Sequence, residues 1–213
     1  MTTIVPGCVC AHRDHMEWNT TSTVLEKLRD YDAKTAWELL DKHFQGALVQ
    51  FGARMGLSPA DAQDAAQETL IAFAQAYREG NYDKEKGRLK SWLFGIAKRQ
   101  CLKVRQKVSR QRERGQADQG EEAPSLEQLP AEGDALASLW EEEWRRMVYG
   151  RALECVRGEV SPETFQMFQQ VVFQGRTNDD VAESFDVDRA IVYDAKYRVT
   201  RRLAQLASEY EDA

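Results

Sequence analysis

The charges of this chain are sorted into blocks, and that sorting limits what it can fold into. Between 84 and 114, twelve basic residues stand against Glu85 and Glu113, a net +10. The next stretch, 115–143, holds nine acids and no base. The formal charge of −6 over the whole chain conceals this division. Neither block can be buried as a core, so each must lie on a surface or in a connection. A solvated helix face followed by a solvated linker has this pattern, and so does a nucleic-acid-binding face followed by an acidic tether.

With 213 residues there is room for one large domain or two small ones. No run approaches the roughly 18 apolar residues of a membrane span, and no signal-peptide core follows the start, so a cytoplasmic protein without membrane association is expected. Four cysteines (Cys8, Cys10, Cys101, Cys155) are too scattered for a disulfide scaffold and fit a reducing compartment.

Residues 1–22 lack helical periodicity and read as a flexible tail. From Thr23 to Lys107 apolar residues recur at three- and four-residue spacing without strand-like alternation. Helices are expected near 22–30, 33–54, 60–79 and 88–110. Ser58-Pro59-Ala60-Asp61 is a helix start, with a capping serine, a first-turn proline and an acid three residues after the cap. Gln, Glu, Ala, Gly and Pro dominate 111–143, which reads as a linker. A second helical block follows from about 138 to 210, with start signals at Ser161-Pro162-Glu163 and at Thr177. The fold expected is all-α. Its parts are an N-terminal tail (1–22), a helical domain (23–110), a flexible acidic linker (111–143) and a second helical domain (144–213) containing a helix-turn-helix.

The helix over 60–79 gathers Ala62, Ala66, Leu70, Phe73 and Tyr77 into a core-facing stripe. On its other side Asp64 and Glu68 share a face and repel unless something basic docks there. In the helix over 88–110, Leu93, Ala97, Cys101, Val104 and Val108 can line the buried side, leaving Lys98, Arg99, Lys103, Arg105 and Lys107 outside. Upstream, Tyr82, Leu89, Trp92 and Phe94 interleave with Lys84, Lys86, Arg88 and Lys90. Basic groups neutralise phosphates, and an exposed aromatic can stack on an unpaired base. Trp92 suits either that role or the core; Phe94 is expected inside. The acidic stretch could also fold back on the basic helix and hold the free protein off DNA.

Over 177–206 the pattern is that of a helix-turn-helix: Val181, Ala182 and Phe185, a turn at Asp186-Val187-Asp188, then Ile191, Ala195, Val199, Leu203 and Leu206 turned inward. Arg189, Ala190, Tyr193, Lys196, Tyr197 and Arg198 remain outside, where such a helix meets base edges, with Arg201 and Arg202 beyond for phosphates. A plain helical hairpin has the same periodicity.

Taken together, these segments resemble a bacterial extracytoplasmic-function (ECF) sigma factor, a member of the sigma-70 family of RNA polymerase promoter-specificity subunits. Asp61-Ala-Gln-Asp-Ala-Ala-Gln-Glu-Thr-Leu70 is similar to the family's acidic region 2.2, and Leu89-Lys-Ser-Trp-Leu-Phe-Gly-Ile-Ala-Lys-Arg99 to its region 2.3–2.4. Ser161–Phe165, Val181–Glu183 and Ile191–Val199 resemble region 4. The resemblance implies that Asp61, Asp64, Gln67 and Glu68 dock on the coiled coil of the polymerase β′ subunit. It implies that Tyr82, Arg88, Lys90, Trp92, Lys98, Arg99, Lys103 and Arg105 take the −10 promoter element. Arg189, Ala190, Tyr193, Lys196, Tyr197, Arg198 and Arg201 would read the −35 element, with the second domain on the β flap. The linker would thread the RNA-exit channel, and an anti-sigma factor is a further partner the family suggests. Gln63 departs from the acid common at its position, and Asp186 from the usual turn glycine.

A helix-turn-helix repressor acting without polymerase is the competing function, although no coiled-coil heptads or ligand-domain pattern supports it. An enzyme is not expected, and no cofactor is implied. His12, His15 and His43 are the only histidines, and no nucleophile–base pair stands out. Cys8, Cys10, His12 and His15 carry zinc-ligand chemistry, but four ligands within eight residues make a cramped tetrahedron. Thr20–Thr23 reads as a capping cluster or a phosphorylation target.

Overall fold

A computed structural model describes residues 33–83, 85–113 and 134–211. Seven helices follow one another among them, with no strand: α1 (Ala33–Arg54), α2 (Pro59–Arg78), α3 (Leu89–Glu113), α4 (Asp134–Glu159), α5 (Pro162–Val172), α6 (Asn178–Phe185) and α7 (Arg189–Glu211). The tail at 1–22, the helix expected at 22–30, Cys8, Cys10, His12, His15, Thr20–Thr23, Lys84 and the segment 114–133 lie outside the described residues. No helix among the described residues is long and apolar enough to cross a membrane. The all-α expectation is met. Two compact units partition the helices, one ending at Tyr149 and the other beginning at Gly150, so α4 contributes to both.

In the first unit, α2 packs against both α1 and α3. It starts where Ser58 Oγ accepts the Asp61 amide at 3.2 Å, with Pro59 in the first turn, as the sequence predicts. Ala62, Ala65, Ala66, Leu70 and Phe73 are buried along it. Small residues bring α1 close: a Cβ on Gly52 would come within 3.2 Å of the Ala62 Cβ, so a larger residue there must push α2 back by a few tenths of an ångström. Leu89, Leu93, Ile96, Ala97 and Cys101 bury the inner face of α3. Burial pushes the Cys101 thiol up to about 12, so it behaves as a small apolar core group.

Both ends of the acidic linker expected over 111–143 are helix in the structure, 111–113 closing α3 and 134–143 opening α4. Residues 134–143 are already helix, and Leu136, Trp140, Trp144 and Val148 form a buried stripe at four-residue spacing. Trp140 meets Phe51 edge-on at 5.5 Å between centroids and stacks on Phe94 at 6.1 Å. Its Nε1–H donates to the Lys90 carbonyl at 3.1 Å. Trp144 stacks on Phe44 at 5.9 Å. A window average rich in Glu and Ala hides a stripe one residue wide, which is why the composition misplaces this boundary.

The second unit has two joined patches of core. Ala152, Cys155 and Val156 of α4 meet Phe168 of α5 and Val199, Leu203 and Leu206 of α7. Met167, Val181, Ala182, Val192 and Ala195 form the other patch. Thr177 caps α6 in a reciprocal capping box with Asp180. The turn into α7 is made by Asp186 in the left-handed region (φ 53°, ψ 48°), the backbone state that glycine adopts without cost and Asp tolerates. Asp188 Oδ1 then accepts the Ala190 amide at 2.7 Å. One expectation fails here. Ile191 is exposed and Val192 is fully buried, because the inward positions of α7 run 192, 195, 199, 203 and 206.

Two outcomes follow for stability. Trp140→Ala removes a buried indole and its hydrogen bond and should cost about 3–5 kcal/mol in urea unfolding. Asp186→Gly should be neutral or gain no more than about 1 kcal/mol, whereas Asp186→Val should lose roughly 1–2 kcal/mol, since a β-branched residue resists the left-handed region.

Candidate nucleic-acid interface

The exposed side of α2 carries Asp64, Gln67 and Glu68, with Asp61 half-buried by its bond to Ser58 at 2.8 Å. These four face a groove of about 500 Å³ whose opposite wall is Gln100, Lys103 and Lys107 of α3. No ion pair closes the groove, since Asp64, Glu68, Lys103 and Lys107 each lack an ionic partner among the described residues. Sequence reasoning named Lys103 but not Gln100 as part of this surface. The arrangement can hold a partner that carries basic groups toward α2, as the four acidic and amide side chains require.

A second groove, about 620 Å³, adjoins the first and shares Glu68, Gln100 and Lys103 with it. Its floor includes Ile71, Ile96 and Trp92, with Asn81, Ser91 and Arg99 at the rim. Trp92 is half-buried, with Tyr82 stacked on it at 5.1 Å and Phe73 behind it at 5.1 Å. Burial raises the Tyr82 phenol above its ordinary value, so it stays neutral. The loop before α3 is held by Asp83, whose carboxylate accepts the Glu85 amide at 3.0 Å and pairs with Lys86 at 3.1 Å. Arg88, Arg99 and Lys103 are exposed, while Lys98 and Arg105 are half-buried.

Lys90 does not join that set. Its ammonium pairs with Glu141 at 2.7 Å, and its side chain is mostly covered. Beside it Arg54 binds Glu142 and, at 2.9 Å, the buried Glu143, which also takes Arg146 at 2.8 Å. The acidic run 141–143 therefore answers Lys90 and Arg54, fifty or more residues away, a distance no local sequence signal bridges. One ion pair, Lys90 with Glu141, joins the acidic block to the basic one among the described residues, and 114–133 lies outside them. Phe94, expected inside, is half-buried between Phe51 and Trp140.

On α7, Ala190, Tyr193, Lys196, Tyr197 and Arg201 are exposed as expected. Arg189 and Arg198 are exposed too, but each has a carboxylate partner: Asp179 at 3.4 Å and Asp194 at 2.9 Å. Arg202 is not available for phosphates, because it grips Glu159 through two bonds of 2.7 and 2.8 Å. Among the described residues no group of three or more His, Cys, Asp or Glu side chains is placed to hold a metal ion.

The Arg54 guanidinium holds the Glu142 carboxyl below the ordinary glutamate range, first by hydrogen bond and then by charge. A carboxylate with a depressed folded value stabilises the fold above its unfolded value, and that contribution fades as the pH falls through the folded one. Arg54→Met should thus lower the urea midpoint at pH 7 and approach wild type at pH 3. Equal loss at both pH values would show that Arg54 acts through packing alone.

Comparison of the chain with curated proteins gives no match. Residues 40–112, about a third of the chain and the segment that carries α2, nearly all of α3 and most of α1, match the family model of sigma-70 region 2.

Proposed function

We propose that the chain is an alternative sigma factor of the extracytoplasmic-function type, which binds core RNA polymerase and directs initiation at promoters with its own −10 and −35 elements. The observation that carries this reading is the coincidence of the region 2 match with two adjoining grooves, one acid-walled and one floored by Trp92. Asp61, Asp64, Gln67 and Glu68 supply carboxylates and amides to a basic partner, which the β′ coiled coil provides in this family. Arg88, Arg99 and Lys103 neutralise phosphates of melted DNA, and the Tyr82–Trp92 pair offers a ring face for an unpaired base. Lys98 and Arg105 flank that path. Lys90 enters it only by leaving Glu141.

Helices α6 and α7 serve as a helix-turn-helix for the −35 duplex, supported by the capping box, the left-handed Asp186 and the exposed outer face of α7. That unit also meets the β flap. The acidic stretch between the two helical units takes the place of the family's linker in the RNA-exit channel, and an anti-sigma factor is a further partner the family suggests. No bond is made or broken by this chain; the chemistry belongs to the polymerase.

Promoter-dependent run-off transcription with purified core enzyme tests the reading. Lys98→Glu combined with Lys103→Glu should abolish open-complex formation while polymerase binding persists, whereas Asp64→Lys with Glu68→Lys should lower core binding at least tenfold and open-complex formation with it. A wild-type chain that co-purifies with no core enzyme, yet binds a duplex by itself, would favour the repressor.

A further inference from the structure

The outer face of α7 is unusual for a surface meant to read guanines. Ala190, Tyr193 and Tyr197 fall at i, i+3 and i+7 and so form one stripe along the first turns. Tyr193 is 63% exposed and Tyr197 53%, with Ile191 at 48% on the flank of the same turns. Three of the large apolar side chains left in solvent thus lie within seven residues of one helix. Three arginines of the same helix each have a carboxylate neighbour, Asp179 for Arg189, Asp194 for Arg198 and Glu159 for Arg202, although the first two pairs are exposed and weak. Asp194, one turn after Ala190, also puts a carboxylate beside the stripe.

The major-groove edges of the bases sort sharply against such a face. A T·A pair offers the thymine C5-methyl, which an apolar side chain covers, whereas a G·C pair offers none. We propose that α7 reads T·A pairs, covering thymine methyl groups with Ala190, Tyr193 and Tyr197. The inference rests on the reading of α6 and α7 as a duplex-binding helix-turn-helix and adds to it the class of base pair selected. Lys196 and Arg201, which have no ionic partner among the described residues, are left for the phosphates on either side.

The test uses the full-length chain assembled with core polymerase and a pool of duplexes randomised upstream of a fixed −10 region. The pool is made in two forms, one with thymine and one with deoxyuridine, which lacks only the C5-methyl. The wild-type holoenzyme should enrich T·A-rich upstream sites from the thymine pool, and each thymine-to-uracil change in a selected site should weaken binding about fourfold, the worth of one buried methyl. Tyr193→Ser with Tyr197→Ser, both at exposed positions, should lose most of the preference for the thymine over the uracil form of the site, keeping only what Ala190 supplies, with an unchanged circular dichroism spectrum. Selection of the same sites with equal affinity from both pools, or of sites centred on G·C, overturns the inference and leaves the sigma-factor reading standing. A holoenzyme that forms but enriches no upstream sequence overturns the duplex-reading role of α7 and this inference with it. The wild-type comparison of the two pools decides the matter even if the tyrosine variant fails to fold.

Discussion

Tyr82, Trp92, Phe73, Phe44, Trp144, Trp140, Phe51 and Phe94 make one connected row of rings, each centroid within 6.4 Å of the next. The row runs from the loop before α3, through α2 and α1, into the start of α4. Large rings bury much area at little entropic cost, so a short helical unit can be held in one arrangement by a few of them. Everything functional in the first unit is placed by that row. Tyr82 and Trp92 form one end of it, and the basic side chains of α3 are fixed in direction because Leu93, Ile96, Ala97 and Cys101 lie beneath them.

The charges then settle around this frame unevenly. Lys90 and Arg54 are neutralised by Glu141, Glu142 and Glu143, and Glu143 is buried between two guanidiniums, where either alone would leave a costly carboxylate half answered. Exposed pairs such as Arg54 with Glu142 contribute little by themselves. Their larger effect is on register: Trp140 and the acidic triplet share one helix, so the indole in its slot and the carboxylates on their partners specify the same placement. Along the two adjoining grooves Arg99, Lys103 and Lys107 face Asp64 and Glu68 without an ion pair among the described residues. A fold that spent its acids evenly would have no such surface.

Much of this was legible in the sequence because it is local. The span 33–54, the serine caps at 58 and 161, the threonine cap at 177 and the left-handed Asp186 all follow from residue types within a few positions of each other. Most of the core face of α2 and the first half of that of α3 follow from periodicity, but Tyr77, Val104 and Val108, expected inside, are half-buried, the two valines lining the acid-walled groove. What escaped is of two kinds. Leu136, Trp140 and Trp144 are spaced for a helix, but acids and alanines around them set the average composition. The partners of Glu141 and Arg202 sit 51 and 43 residues away, and only the tertiary fold reveals them. Ile191 and Val192 are adjacent and alike in chemistry, so a phase error of one residue exchanges their roles. That exchange matters, since it moves an apolar side chain from the core to the exposed side of α7.

The two units would meet nucleic acid on different physical terms. In the first, the +10 block gives affinity that depends on released counterions and therefore on salt, with little preference for sequence. The stretch 144–213 carries ten bases against twelve acids, and three arginines of α7 are tied to carboxylates. It gains almost nothing from the bulk electrostatic term. Contacts that act only at close range must then supply what binding it has, and close-range contacts are the ones that distinguish one base edge from another. Weak attraction and sharp discrimination are in that sense the same property: a duplex reader with no excess of positive charge is silent on random DNA and depends on the polymerase to bring it to the groove.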